Sequence, residues 1–258
     1  MINPLSINLK QEKEKIINFL KKTFKEQKID KVVLGLSGGI DSTVVLYLLK
    51  EVLPTKNIFA IQMDYNPRKK SNIDLKGINI INVSIRAIVD QFKVNLANAG
   101  KGEKFDIKPS SKKIRLGNIM TRIRMIILFD LAKKLNALVC GTENKSEKLL
   151  GYFTRFGDAA SDIEPITHLY KTQILQLAKY LKIPDKIIKQ TPTAGLWDGQ
   201  TDEGEFGFTY LEADWVLHLY YDKKRKSEEI KKLGFKNAEK IIKRSLNNQF
   251  KLQTPYLL

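Results

Sequence analysis

Cysteine is nearly absent. The single residue Cys140, in a chain of 258, excludes an intrachain disulfide and a cysteine-rich zinc site. Histidine is almost as scarce, and neither His168 nor His218 stands where a Cys–His pair would be expected. No apolar run reaches the roughly 18 residues that cross a bilayer. The N-terminal MINPLSINLKQEKEKI lacks the apolar centre of a signal peptide. These absences point to a soluble, cytoplasmic protein with no membrane partner. Acid is short relative to base, 28 Asp+Glu against 45 Lys+Arg, giving a net charge of +17. That balance suits nucleic acid, a membrane surface or anionic small molecules. The chain is also rich in Lys, Ile and Asn together, which is a general compositional bias. The segment from Asp222 to Leu258 carries 11 Lys/Arg against 4 Asp/Glu, so much of the excess sits in one tail. A solvated helix face explains it as readily as a polyanion-binding surface.

What is present is a strand–helix alternation. With 43% hydrophobic residues the chain can build one full core. No repeat or linker marks a second domain, so residues 1–258 read as one. Ile16, Ile17, Leu20 and Phe24 share a helical face within residues 9–27. Residues 31–36 read as a fully buried strand, 41–53 as a helix, 57–63 and 78–83 as strands, and 85–97 as a helix. Residues 98–113 are polar and bear Pro and Gly, the composition of a mobile loop. A long helix over 114–136 and a strand over 137–141 follow. Residues 142–169 are irregular with room for one short helix, 170–181 is helical, 190–207 is a second long loop, and two or three helices close the chain. The alternation predicts an α/β fold: a doubly wound parallel sheet with helices on both faces.

One buried-looking stretch, VVLGLSGGIDSTVVLYLLK (residues 32–50), is broken by Ser-Gly-Gly-Ile-Asp-Ser. In open α/β sheets, ligands bind beyond the carboxyl ends of the strands. Glycines there let the backbone approach a ligand, and unpaired amides at a helix start favour phosphate. Ser37 and Ser42 offer hydroxyls. Asp41 would repel a bare anion, but it suits a magnesium ion bound to phosphates. A plain Gly-rich turn with Asp41 as a first-turn helix residue remains the alternative. A Walker A loop needs Lys-Ser/Thr after its last glycine, and a dinucleotide fingerprint needs G-x-G-x-x-G; neither is here.

Strand, SGGIDS and helix together resemble the pyrophosphate loop of the ATP pyrophosphatases, of adenine nucleotide alpha hydrolase-like fold. The segments CGTENKSEKLLGYFTRFGDAASDIEPITHLYKTQ (140–173) and TPTAGLWDGQTDEGEFGFTY (191–210) extend the likeness. With SGGIDS they closely resemble the ammonia-dependent type of NAD synthetase, from about residue 10 to the C-terminus. The resemblance implies a ligase joining ammonia to deamido-NAD (nicotinic acid adenine dinucleotide) with ATP, through an acyl-adenylate, releasing AMP and pyrophosphate. It also implies a homodimer. The reaction brings a carboxylate to a triphosphate, so cations must offset the repulsion.

By this resemblance, ATP is held by Gly35, Leu36, Ser37, Gly38, Gly39, Ile40, Asp41 and Ser42, and by Thr142, Lys171 and Thr193. Asp41 and Glu147 hold Mg2+. Arg122, Arg155, Asp162, Phe250 and Lys251 hold deamido-NAD. Arg155 stands where most relatives have lysine, and Phe250 where they have histidine; Phe250 can stack but not hydrogen-bond. Asp41, Lys171 and Asp158 are the catalytic candidates, with Asp158 orienting or deprotonating ammonium. Ile119, Ile123, Ile126 and Ile127 exceed one core-facing stripe and suit a dimer interface or ordinary burial. The loop 190–207 is expected to close over ATP, with Asp202 and Glu203 as lid acids or as solvated charges.

About 30 residues precede the first strand, too few for a fused glutaminase, and Cys140 in ALVCGT reads as a structural thiol. Free ammonia, or ammonia from a separate protein, is the expected donor. A tRNA-modifying ATP pyrophosphatase is the main rival. Thiouridylases need reactive cysteines and lysidine synthetases carry extra RNA-binding domains. Nucleic acid is therefore not the expected partner. A catalytically dead nucleotide-binding module is the second rival, against which Asp41, Glu147, Lys171 and Thr193 speak.

Overall fold

The structure is a computed structural model, and it describes residues 5–66, 73–99, 109–197, 199–253 and 256. Among the described residues four short strands form one parallel sheet: β1 (Val32–Gly35), β2 (Ile58–Asp64), β3 (Asn79–Ser84) and β4 (Leu138–Cys140), in the order β3-β2-β1-β4. Val32 of β1 lies opposite Ile58 of β2 and Leu138 of β4. A parallel bridge between Cys140 and Ile163 extends the β4 edge. The chain leaves β1 toward β2 and β3, then returns across the sheet to β4. The order therefore reverses beside β1, and a crevice opens beyond its carboxyl end.

The helices are α1 (Leu9–Gln27), α2 (Ile40–Lys50), α3 (Arg86–Ala99), α4 (Pro109–Leu135), α5 (Lys145–Leu150), α6 (Lys171–Tyr180), α7 (Asp185–Ile188), α8 (Asp202–Phe206), α9 (Tyr210–Leu217), α10 (Ser227–Lys232) and α11 (Ala238–Asn248). Side chains alternate across a strand, and β1 uses this fully. Val32 and Leu34 join a core with Ile16 and Leu20 of α1, Val44 and Leu48 of α2, and Ile174 and Leu177 of α6. Val33 points the other way, into a core with Ile61, Val89 of α3, and Met120 and Ile123 of α4. All three β1 residues are fully buried, which stabilises by about 1.5–3 kcal/mol per side chain. The predicted helices on both faces are thus present.

A third core was not foreseen as such. Tyr170, Phe206, Phe208, Tyr210, Val216, Leu217, Ile230 and Ile241 pack together, so the C-terminal helices form a cluster of their own. It seats α9 against α5 and α6, which carry site residues. Two boundaries differ from the sequence reading. The helix read at 114–136 begins at Pro109, and the stretch 190–207 is not all loop, because Thr201 caps the short helix α8 by accepting from Gly204 N–H at 3.2 Å. Most of the polar loop read at 98–113, residues 100–108, lies outside the described residues.

Candidate active site

The turn from β1 to α2 is built for an anion. Gly38 has φ +81°, a conformation that a side chain disfavours. Gly39 caps α2 but has no side chain to bond its first-turn amides, which leaves those N–H groups to a ligand. The turn is braced from within: Gly39 N–H donates to Ser37 Oγ at 3.2 Å, Ser42 Oγ lies 3.1 Å from Ser37 Oγ, and Thr43 Oγ1 donates to Gly39 O at 2.8 Å. Leu36 and Ile40 are core residues and Gly35 belongs to β1, so these three can offer a ligand only backbone.

Across the crevice, β4 delivers Gly141, Thr142 and then α5. Asn144 caps α5: its Oδ1 accepts from Glu147 N–H at 3.0 Å, while Glu147 Oε2 accepts from Asn144 N–H at 3.4 Å. The cap therefore fixes the Glu147 carboxylate. Asn144 Nδ2 also donates to Asp41 Oδ1 at 3.0 Å, tying the two sides together. Lys171, at the start of α6, completes the group. Its Nζ lies 2.5 Å from Asp41 Oδ2 and 3.4 Å from Glu147 Oε1, with its side chain only 4% exposed. Asp41, Glu147 and Lys171 are 130 residues apart in sequence at the widest and meet at one point.

Burial disfavours charge on Lys171, but Asp41 and then Glu147 outweigh it and hold the ammonium well above the usual lysine range. Glu147 shifts upward: desolvation leads, Lys171 opposes it, and the nearby carboxylates of Asp41 and Asp202 add to it. One ammonium cannot offset the carboxylates gathered there, so the site is short of positive charge. Its hard oxygen donors fit a small divalent cation. Among the described residues no three His, Cys, Asp or Glu could hold a metal by themselves. Two carboxylates completed by phosphate oxygens is a common arrangement for magnesium.

Asp202 is not a solvated charge. It is buried, with hydroxyls of Tyr152 and Tyr210 donating to its two oxygens at 3.1 and 3.0 Å. Glu203 is likewise tied, accepting from Tyr210 N–H at 2.8 Å. Thr193 is exposed in the segment before α8, its Oγ1 accepting from Gly195 N–H at 3.1 Å.

The second group of expected residues gathers beside α5. Arg122 of α4 donates from Nε to Arg155 O at 3.3 Å. The Arg155 guanidinium lies 5.7 Å from the ring centre of Phe250 and 5.5 Å from that of Phe156, and both rings are about half exposed. Lys251 Nζ donates to Gly151 O at 2.6 Å and Phe153 O at 3.0 Å. Asp162 is engaged structurally: its Oδ2 accepts from Val139 N–H at 2.7 Å, pinning the edge of β4. Asp158 is exposed and accepts from Thr154 N–H at 2.7 Å.

Asn144 is not among the residues expected from sequence, although N-x-x-E in GTENKSE is a capping signal that marks it. Nor are Glu143 and Glu164. Gly141 has no side chain, and a Cβ there would lie 1.8 Å from Glu164 Oε1. Glu164 Oε2 accepts from Glu143 N–H at 3.2 Å, and Glu143 Oε1 is buried with no hydrogen-bond partner among the described residues. Nothing in the spacing of 143 and 164 announces that pairing.

A parallel sheet that reverses order beside a phosphate-suited turn, with acids and a lysine facing it, defines an α/β nucleotide-binding protein of the ATP pyrophosphatase fold. A family model described as NAD synthase matches residues 12–255. The NH(3)-dependent NAD(+) synthetase of Fusobacterium nucleatum subsp. nucleatum is 42% identical over 262 residues, covering 99% of this chain and 98% of that protein. Among solved structures, the NMN synthetase of Francisella tularensis superposes with a TM-score of 0.79 at 31% identity, covering 98% of this chain and 99% of that one. The NH3-dependent NAD synthetase of Campylobacter jejuni, solved with a nitrate ion, gives 0.76 at 31% identity, covering 98% and 100%. The chain belongs to the NAD synthase family.

Proposed function

We propose that this chain performs the family's reaction on a dinucleotide: ATP-dependent amidation of deamido-NAD by ammonia, giving NAD, AMP and pyrophosphate. It is a C–N bond-forming ligase. The observation that carries the site assignment is the meeting of Asp41, Glu147 and Lys171 beside the capless turn of α2.

A carboxylate is a poor acyl donor because oxide is a poor leaving group. Transfer of adenylate to one carboxylate oxygen cures this, and ammonia then displaces AMP. The amides that open α2 bind the leaving pyrophosphate, with Ser37 and Ser42 beside them. Lys171 supplies fixed positive charge in a dry setting, where it costs no reorganisation as phosphoryl charge develops. Asp41 and Glu147 would hold magnesium, which when bound screens the phosphates from the incoming carboxylate. Thr142 and Thr193 orient the nucleotide. Arg122, Arg155, Phe250, Lys251 and Asp162 bind the acceptor, the exposed Phe250 ring serving as a stacking face beside the Arg155 guanidinium. Asp158 orients ammonia for attack on the acyl carbon. Residues 1–258 act as one domain.

The chain works as a cytoplasmic homodimer. Support comes from apolar side chains left open on α3 and α4: Ile88, Phe92, Val94, Ile114 and Ile126 are each 44–59% exposed. Among the described residues no helix is long and apolar enough to cross a membrane.

The test is AMP release with magnesium ATP and ammonium, in separate mixtures containing deamido-NAD, its mononucleotide counterpart, or bulk tRNA. Release that depends on deamido-NAD is expected. The mononucleotide arm matters because the Francisella neighbour is an NMN synthetase. A clear preference for the mononucleotide, or release that needs tRNA, would overturn the reading.

A further inference from the structure

A fully buried carboxylate, Asp214 of α9, lies outside the site residues named above. Its two oxygens reach two different helices. Oδ1 accepts from the hydroxyl of Ser146 in α5, and Oδ2 accepts from Thr172 N–H in α6 at 2.8 Å. Ser146 Oγ in turn accepts from Lys171 N–H at 2.8 Å. Lys171 and Thr172 open α6, so these are two of the orphan donors that every helix start leaves over. Ser146 immediately precedes Glu147, and Lys171 is the residue whose ammonium meets both Asp41 and Glu147.

We infer that Asp214 is a positioning residue for adenylate transfer: through Ser146 and the first amides of α6 it locks the α5–α6 junction, so that Glu147 and Lys171 converge on Asp41. An apolar residue there would avoid the desolvation that raises the Asp214 pKa to about 6. It would also leave the Ser146 O–H proton and the Thr172 N–H without the acceptors that Asp214 gives them. The carboxylate touches none of the three site side chains in these contacts; it acts on where their helices begin. The inference rests on the site reading given above.

The experiment compares Asp214→Ala, Asp214→Asn, Ser146→Ala and Lys171→Met, with Asp214→Ala also placed on the Lys171→Met background. Steady-state kcat and KM for ATP are measured well below each melting temperature. A displacement near 1 Å costs about 10²-fold, so kcat should fall by about 10- to 100-fold in Asp214→Ala, and by a similar order in Ser146→Ala, with KM for ATP held within about twofold. Asparagine can still accept from Thr172 N–H, and its amide can donate to Ser146 Oγ at the cost of the serine's own donated bond, so Asp214→Asn should recover part of kcat. Because Asp214 acts through Lys171, the double variant should lose far less than the product of the single losses. Wild-type kcat in Asp214→Ala or Ser146→Ala, whatever the melting temperature, would overturn the inference. So would multiplicative losses in the double variant, or an asparagine variant as slow as the alanine one. Should Asp214→Ala not fold, Ser146→Ala decides alone. Wild-type kcat in Lys171→Met would instead sink the site reading, and this inference with it.

Discussion

Replacing Glu164 with glutamine should stabilise the protein at alkaline pH and leave it unchanged at acid pH. Burial, ahead of the nearby Asp158 charge, pushes the Glu164 carboxyl from an ordinary 4.5 to about 7. Glu143, desolvated and facing Glu164, is pushed to about 8. A carboxyl whose folded pKa lies above its unfolded one keeps its proton in the folded state while the unfolded chain has released it. The stability it supports is therefore complete below pH 4.5 and is lost as pH rises through about 7. The gap sets an upper bound of ~3.4 kcal/mol, and because Glu164 is partly exposed, solvent screening brings the expected effect nearer ~1–2 kcal/mol. Glutamine can keep the local bonds, its oxygen accepting from Glu143 N–H and its amide donating to Ser161 Oγ, the atom that bonds Glu164 Oε1 at 2.7 Å. Urea unfolding of both proteins at pH 5 and pH 8 measures the difference directly. Glu164→Gln should be more stable at pH 8 and nearly equal at pH 5. A variant that is less stable at pH 8, or one whose difference ignores pH, would refute the reasoning.

Asp41→Ala should lower AMP formation by at least ~10²-fold, while the circular dichroism spectrum stays that of the folded protein, since Glu147 remains as a partner for Lys171, and the melting temperature falls because a buried ion pair has lost one member; near-normal turnover would remove Asp41 from the site. Phe250→Ala should raise KM for deamido-NAD about fivefold and leave kcat within about twofold, the loss of about 1 kcal/mol of ring contact; unchanged KM would leave Phe250 without a role. If the proposed dimer forms through α4, Ile126→Glu should lower the sedimentation coefficient to that of a monomer, because Ile126 is the most exposed apolar side chain described on α4; a coefficient equal to that of the unaltered protein would remove this face from any interface.

The sheet was legible because β1 is short, apolar and bounded by SGGIDS, and because buried parallel strands read as continuous apolar runs. Val32, Val33 and Leu34 could be assigned to the core from sequence, though not to opposite faces of it. The turn was equally legible, its glycines marking a backbone conformation that other residues disfavour. The pairing of Asp41 with Lys171 was harder. It spans 130 residues and depends on α6 being held against α5, which nothing local encodes. Asp202 shows the opposite difficulty: in GQTDEG it looks like a solvent-facing acid, and only the distant Tyr152 and the packing of Tyr210 make it a buried one. The aromatic C-terminal core escaped for a similar reason, since Phe206, Phe208 and Tyr210 gain meaning only from α9 and α11 closing over them.

Oxygen labelling tests the adenylation claim most directly. Deamido-NAD carrying 18O in its carboxylate is turned over with ATP and ammonium, and the products are weighed by mass spectrometry. Attack of that carboxylate on the α-phosphorus leaves one labelled oxygen in AMP, with unlabelled pyrophosphate. Label in orthophosphate, with ADP as the nucleotide product, would contradict the account.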